Sequence, residues 1–430
     1  MPIPNPATHT PEPPTGEPHG MNDKKRNAIV LLIDGLNPSY LSAHGCTWIN
    51  TPAFDQVAAD SIVFERAVTE SVDSAKALAA FLKERHAGLV QHGDDGPSSG
   101  LSALAEAGVH RMLLTDDVAA MAGMESDFDQ VIELGQVKRA EELESADDIG
   151  DTFLAQCFAG VINELPKQSA PYLAVIHLTN LAHVWDAPLE MRDKYRDEED
   201  PEALQGVSAV QQSGDFDPDE ILGVTHAYGA QLETLDTCLD VFLQEMQLDG
   251  LWENTRLVLA GLRGFPLGHR GQMGHAMNHL TSDACRVPLW VRPADAEKEL
   301  LCAARTHELT AISEWLSIAT EWILGKQEAR MELALQNCAD ESQWNCHGIV
   351  VCEDTAAAIW TPAWLLVEKE GVIELFVKPE DRWDVNPVQD RCRGVAADLA
   401  EMLADACLKL RANERPELNL LADELVFGLE

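Results

Sequence analysis

The stretch at residues 28–35 constrains the fold of this chain more than any other part of its sequence. It reads AIVLLIDG, six apolar residues followed by an aspartate and a glycine. A short continuous apolar run of this kind is typical of a parallel strand that is buried on both faces. In open α/β sheets, ligands bind beyond the carboxyl ends of such strands. Asp34 is therefore a candidate site residue, and the alternative is that it only caps the turn that follows.

Helical and strand patterns alternate along the rest of the chain. Residues 51–60 are typical of a helix, and residues 61–64 of a short strand. Residues 101–117 contain a helix, a glycine stop and a strand that ends in acid, which is the repeating βα unit of a parallel sheet. A long helix predicted at residues 221–247 precedes a strand at residues 256–259. This alternation predicts an α/β fold.

Five stretches resemble, in the right order, the sulfatases within the alkaline phosphatase superfamily. They are TPAFDQVAADSIVFERAVTESVDSAKALAAFL at 51–82, LAVIHLTNLAHVWDAP at 173–188, the helix and strand at 225–261, RVPLWVRP at 286–293 and WLLVEKEGVIELFVKPEDRWDVNP at 364–387. The resemblance implies an alkaline-phosphatase-like three-layer sandwich around a mostly parallel sheet. It also implies a small C-terminal α+β domain.

This resemblance divides the chain into three parts. We expect a disordered proline-rich leader at residues 1–26, a sulfatase-like α/β domain at 27–328, and a small C-terminal subdomain and helix at 329–430. The first twenty residues contain seven prolines and no apolar core of a signal peptide, so they do not read as a secretory signal. No apolar run is long enough to predict a membrane span.

The resemblance also implies a metal site, and its motifs are incomplete here. Sulfatases hold Ca²⁺ or Mg²⁺ with an early aspartate, often a second one beside it, and an Asp-His or Asp-Asn pair after a late strand. In this chain Gly35 follows Asp34, and Leu262-Arg263-Gly264 replaces the late pair. We therefore expect no metal cofactor. We expect Arg263 to take the place of the ion and to pair with Asp34; the alternative is that Arg263 points to solvent.

The nucleophile motif of the sulfatases is altered as well. Family members carry Cys or Ser in a Cys/Ser-x-Pro-x-Arg context, and that first residue is oxidised to formylglycine. Ser71 falls on this position, but Asp73 replaces the proline and Ala75 the arginine. Lys76, one residue late, is a poor substitute for a planar guanidinium. Formylglycine is therefore not expected, and Ser71 is also interpreted as a helix cap.

Two histidines match positions that approach the substrate in the family. His183 lies in HVWDAP, and His275 follows Gly274 where many members have Gly-Lys. Either imidazole could act as an acid or base near neutral pH. The alternative for each is a histidine that is packed in the core or lies on the surface.

Other metal-ligand patterns in the sequence are weaker. His275 and His279 are four residues apart and His269 is nearby, which could suggest zinc, although the segment is glycine-rich. A second group has unconvincing spacing and consists of Cys338, Cys346, His347 and Cys352. Such cysteines are more often small buried hydrophobes than ligands.

Composition limits the partners and the compartment. The chain has 72 acidic against 31 basic residues, a formal net charge of -41. A surface of this charge repels nucleic acid and anionic membranes, so we expect neither as a partner. Ten scattered cysteines without a CxxC pair predict reduced thiols and a cytoplasmic protein.

These observations lead to one functional prediction and one alternative. The prediction is a pseudoenzyme that has lost its metal and its activated nucleophile and binds an unknown ligand or protein partner. The alternative is an active hydrolase of sulfuric or phosphoric esters, with Ca²⁺ or Mg²⁺ as cofactor. It would use Ser71, Lys76, His183 and His275 in a rearranged site.

Overall fold

The structure is a computed structural model that describes residues 26–90, 98–121, 123–135, 144–168, 171–204, 207–208, 212–275, 278–297, 304–326, 329–339, 347–416, 418 and 421–428. The predicted leader lies outside the described residues, apart from Arg26.

The strands are β1 Asn27–Ile33, β2 Ile62–Val68, β3 His110–Thr115, β4 Gln130–Glu133, β5 Tyr172–Leu178, β6 Val184–Trp185, β7 Val207–Ser208, β8 Gln212–Ser213, β9 Thr255–Gly261, β10 Gln272–Met273, β11 Leu289–Arg292, β12 Ala304–Ala311, β13 Ile349–Cys352, β14 Ala356–Trp360, β15 Trp364–Lys369 and β16 Val372–Val377. The helices are α1 Pro52–Ala59, α2 Ser74–Lys83, α3 Ser99–Glu106, α4 Phe153–Glu164, α5 Asn180–His183, α6 Leu189–Asp193, α7 Pro218–Leu248, α8 Ser282–Cys285, α9 Leu316–Leu324, α10 Ala329–Ala339, α11 Arg393–Arg411 and α12 Asp423–Phe427.

Eight strands form the central sheet, in the order β12-β2-β11-β9-β1-β5-β3-β4. Strand β1 lies in its middle and pairs in parallel with β5 and β9. Strand β11 is antiparallel to both of its neighbours, β2 and β9. The prediction of a mostly parallel sheet is confirmed. Because β1, β5 and β9 run in the same direction, the residues that follow them meet at one edge of the sheet.

Strand β1 is buried on both faces, which explains its unbroken apolar sequence. Its odd-numbered residues 29, 31 and 33 pack with α1, α4 and α7. The even-numbered residues 28, 30 and 32 pack with α2, α3 and α9 on the opposite face. The helix–sheet–helix sandwich expected from the sequence is therefore present.

A second, antiparallel sheet of four strands, β13-β14-β15-β16, forms the C-terminal part. Helix α11 covers one of its faces. The other face packs on the large sheet through an apolar cluster that includes Val68, Val72, Leu309, Trp360 and Phe376. The predicted small α+β domain is confirmed, and it is joined to the large domain by a buried apolar contact.

The cysteine prediction is wrong for one pair. Cys352 and Cys407 are joined by a disulfide between β13 and α11, fifty-five residues apart in sequence. No local spacing in the sequence identifies this pair. The two cysteines are brought together only when α11 packs on the small sheet. Six other described cysteines are free thiols, namely Cys46, Cys157, Cys238, Cys285, Cys338 and Cys392.

Among the described residues, no helix is both long enough and apolar enough to cross a bilayer.

Candidate functional site

The carboxylate of Asp34 and the guanidinium of Arg263 form a two-pronged ion pair at the carboxyl edge of the sheet. Arg263 donates from Nε to Oδ1 of Asp34 at 2.7 Å and from Nη2 to Oδ2 at 2.8 Å. A third hydrogen bond, from Nη1, reaches the carbonyl oxygen of Val72 at 2.8 Å. Asp34 is 0% exposed and Arg263 is 6% exposed. The structure thus brings together the two residues that the sequence analysis expected to pair.

Local backbone contacts place these two side chains next to each other. The Gly35 amide, just after β1, donates to the carbonyl oxygen of Arg263, just after β9, at 3.1 Å. At Gly264, a Cβ atom would lie 2.1 Å from the carbonyl oxygen of Asp283, so only glycine fits there. The loop after β9 is therefore held between the start of the loop after β1 and helix α8.

The ion pair keeps Asp34 ionised although it is buried. Burial by itself would raise the pKa of the Asp34 carboxyl. The charge and hydrogen bonds of Arg263 outweigh this effect and hold the pKa of Asp34 far below its usual range. A planar guanidinium that meets a carboxylate through two parallel bonds is among the strongest pairings in proteins.

These residues do not fit a divalent cation. Ca²⁺ and Mg²⁺ require about six or more oxygen ligands. Both oxygens of Asp34 already accept hydrogen bonds from Arg263, whose positive charge also repels a cation. Across the described ranges, no group of three or more His, Cys, Asp or Glu side chains could hold a metal ion.

Ser71 is buried and held by a residue that the sequence analysis did not identify. Its hydroxyl donates to Oε1 of Glu353 at 2.6 Å and accepts from the Asp73 amide at 3.1 Å. Only 1% of Ser71 is exposed. Glu353 follows β13, 282 residues away, and no motif links such distant positions. The interpretation of Ser71 as the helix cap is wrong, because Asp73 caps α2 through a bond to the Lys76 amide.

The carboxylate of Glu353 contacts three groups of residues 71–76, the segment that matches the nucleophile motif. Besides Ser71, its Oε1 accepts from the Val72 amide at 3.1 Å, and Oε2 lies 3.4 Å from Nζ of Lys76. The carboxylate is 1% exposed, whereas the Lys76 side chain is 33% exposed. Lys76 therefore reaches from the surface to neutralise a buried charge.

We expect Glu353→Ala to lower the free energy of unfolding by about 2–3 kcal/mol, because it leaves buried donors of Ser71 and Val72 unpaired. Urea unfolding followed by far-UV circular dichroism measures this change. Glu368→Ala, in strand β15 of the same small sheet, is the matched control and should cost under about 1 kcal/mol. Equal effects of the two substitutions would contradict the proposed role of Glu353.

The two predicted histidines differ in their surroundings. His275 is 7% exposed, its Nε2 has no hydrogen-bond partner among the described residues, and its ring packs edge-on against Phe265. Burial, followed by the charge of Arg263, lowers the pKa of His275 well below its usual value, so the ring is neutral. His183 ends α5 and is exposed.

The other histidines of the glycine-rich segment have different surroundings. His269 stacks on Trp383 with ring centroids 4.2 Å apart, and its Nδ1 is 3.7 Å from Oδ2 of Asp283. The Nε2 of His279 is buried without a partner among the described residues. In the second group of possible metal ligands, Cys352 forms a disulfide and so is not a free thiol, and Cys346 lies outside the described residues.

A buried carboxyl beside the site, that of Asp283, has an unusual environment. It is 5% exposed, accepts a short hydrogen bond from Thr281, and its Oδ2 has no hydrogen-bond partner within the described chain. Burial raises the pKa of Asp283 to about 7; the Thr281 bond opposes this and the nearby Asp384 charge adds to it. Asp384 is itself bonded to Ser282 and Lys378.

The α/β sandwich, with an aspartate at the end of its central strand and a small antiparallel C-terminal sheet, matches the alkaline-phosphatase-like fold of the sulfatases. The sulfatase family model matches residues 26–323, which is more than half of the chain. The chain therefore belongs to the sulfatase family. A comparison with curated protein sequences gave no significant match.

Solved structures of similar fold span nearly the whole chain. A phosphonate monoester hydrolase of Agrobacterium radiobacter is 14% identical, with a TM-score of 0.66, covering 90% of this chain and 96% of its own. A protein in complex with its substrate D-glucosamine-2-N,6-O-disulfate is 14% identical, with a TM-score of 0.68 and coverages of 92% and 100%. A 2-O glycosaminoglycan sulfatase is 12% identical, with a TM-score of 0.68 and coverages of 90% and 93%. At these identities the likeness shows the fold alone.

Proposed function

We propose that this chain is a catalytically inactive member of the sulfatase family that binds a ligand or a protein partner. The single observation that carries the proposal is the buried ion pair between Arg263 and Asp34. Sulfate-ester cleavage relies on a cation to stabilise the developing charge and to activate the nucleophile. A guanidinium bonded to both oxygens of the aspartate supplies a fixed positive charge but no open coordination position.

The chemistry of the partner is limited by the charge of the chain. A net charge of -41 argues against nucleic acid and anionic membranes as partners. Polysulfated chains would be repelled at long range for the same reason. A small ligand or a protein remains as the proposed partner, and a cytoplasmic location remains a prediction.

This proposal is tested by the response of stability to calcium and to chelator. We expect the midpoint of thermal unfolding to be the same in excess Ca²⁺, in excess Mg²⁺ and in EDTA, because a ligand stabilises a protein only when it binds the folded state. Differential scanning calorimetry makes the measurement. A rise in the midpoint with Ca²⁺ that EDTA reverses would refute the loss of the metal site.

An active hydrolase is the second candidate, and the contact between Ser71 and Glu353 is the observation that favours it. A serine hydroxyl 2.6 Å from a carboxylate has the geometry of a nucleophile with its base. The burial of Ser71 argues against attack on a substrate. Hydrolysis of 4-nitrophenyl sulfate or 4-nitrophenyl phosphate by the protein, abolished in Ser71→Ala, would establish this candidate; rates equal to the buffer background would exclude it for these esters.

A further inference from the structure

A separate cavity lies between the edge of the large sheet and the small C-terminal sheet. Its volume is about 230 Å³, and it is lined by β2, β12, the segment around Arg286, and the loops that follow β14 and β16. Its lining includes none of Asp34, Ser71, Lys76, Arg263, His183 or His275. Any role of this cavity is therefore independent of whether the family's catalytic centre is active.

Positive charge is concentrated around this cavity. Arg66, Arg286, Lys378 and Arg382 all line it, and Glu65 is the one carboxylate among the described lining residues. The chain as a whole carries more than two acidic residues for every basic one, 72 against 31. Lys378 is paired with Asp384, which does not line the cavity. The grouping of four basic residues around one small space nevertheless contrasts with the acidic composition of the protein.

The single lining carboxylate is already neutralised from outside the cavity. Glu65 accepts from Nδ1 of His44 at 3.0 Å and forms a short ion pair with Arg305. Burial would raise the pKa of Glu65, but these two partners lower it to about 2. Neither His44 nor Arg305 lines the cavity. The carboxylate of Glu65 is thus paired with His44 and Arg305, which lie outside the cavity lining.

Arg286 and Arg382 are paired only with uncharged acceptors. Arg286 donates to the carbonyl oxygen of Glu65 at 3.2 Å, and Arg382 donates to the hydroxyl of Ser39 at 3.3 Å. Within the part of the chain that the structure describes, neither guanidinium forms an ion pair with a carboxylate. Burial, followed by the charge of Arg382, lowers the pKa of Arg286 to about 10. The negative charges of Glu65 and Asp384 oppose this shift but do not outweigh it.

An apolar face makes up part of the remaining wall of the cavity. Val68, Leu309, Trp360, Pro362 and Pro379 provide it, and Ser282, His307 and Thr361 also line the cavity. Sites for small molecules commonly combine such a wall with a few charged groups that fix orientation. An inorganic anion would leave the apolar wall in contact with water, whereas an organic anion would cover it.

We propose that this cavity binds a small organic anion, with an apolar body against Trp360 and a sulfonate, phosphate or carboxylate group between Arg286 and Arg382. Guanidinium groups bind such oxyanions through paired hydrogen bonds. The strongly acidic exterior selects a compound of low total charge, because a polyanion is repelled before it reaches the cavity.

The test is titration calorimetry of the full chain with 2-naphthalenesulfonate, a sulfonate that cannot be hydrolysed. The isosteric neutral compound 2-naphthalenesulfonamide and inorganic sulfate are the comparison ligands. We expect one site for the sulfonate, with affinity that falls as salt is added. We expect both comparison ligands to bind at least roughly tenfold more weakly. Equal binding of the neutral compound would overturn the proposal.

Two variants locate the binding site. Arg382→Gln at the cavity should weaken the sulfonate roughly tenfold or more, and Arg286→Gln should do the same if it remains folded. Arg393→Gln, an exposed arginine of α11 outside the cavity, is the matched control and should leave the affinity unchanged. Wild-type affinity in Arg382→Gln would show that the sulfonate binds elsewhere and would refute the proposal, whatever the stability of Arg286→Gln.

Discussion

Replacing Arg263 by methionine is expected to lower the free energy of unfolding by about 3–5 kcal/mol, because it leaves the buried Asp34 carboxylate without its partner. Asp34 has no exposed surface on which water could take over the role of the guanidinium. The substitution also removes the donor to the Val72 carbonyl. Urea unfolding at neutral pH measures the loss.

A double substitution separates the lost charge pair from the lost packing. Asp34→Asn combined with Arg263→Met should recover much of the stability, because no uncompensated charge stays buried. Arg393→Met, at an exposed pair with side chains 82% and 89% exposed, should change stability by less than about 1 kcal/mol. A loss below about 1 kcal/mol in Arg263→Met would contradict a tightly coupled pair.

The second large effect is expected at Asp283 and depends on pH. The pKa of Asp283 is raised from 3.8 to about 7 in the folded protein. Between these two values the unfolded chain releases a proton that the folded chain retains, so stability falls as pH rises. The total loss is about 4 kcal/mol, at about 1.4 kcal/mol per pKa unit. The protonated carboxyl of Asp283 is therefore tolerated in the folded protein at low pH, whereas the ionised carboxylate destabilises the folded protein at high pH.

Asp283→Asn should remove this dependence, because an amide does not ionise. We expect the variant to be more stable than the wild type at about pH 8 by a few kcal/mol, and similar to it at about pH 4. Urea unfolding across this range gives the difference. Since burial also raises the pKa of Asp116 to about 7, only the difference between the two proteins isolates Asp283. A difference that does not change with pH would refute the prediction.

The central strand and the sheet around it could be predicted from sequence because the signal is local. The apolar run of β1 and the residues after it carry the pattern of a buried parallel strand within a few positions. The long helix was also predicted, at 221–247, and the structure extends it to Pro218–Leu248. Periodic patterns and strand ends are properties of neighbouring residues, so they can be read from one sequence.

The contacts around Ser71 could not be predicted, because they depend on residues far apart in the chain. Glu353 lies in the small sheet, and only the packing of that sheet on the large one brings its carboxylate to residue 71. The partnership of Cys352 with Cys407 has the same origin. Arg263 was identified because a family motif fixes its place after β9; Glu353 has no such motif.

The contact between the two sheets has a consequence for how the chain folds during synthesis. Strand β2 lies between β11 and β12, so the large sheet is complete only after residue 311 has been made. The apolar face built from Val68, Val72 and Leu309 is covered later still, by the small sheet that starts at Ile349. In a nascent chain on the ribosome, this apolar face is therefore complete before the small sheet that covers it has been made, and exposed surfaces of this kind are ones that molecular chaperones shield.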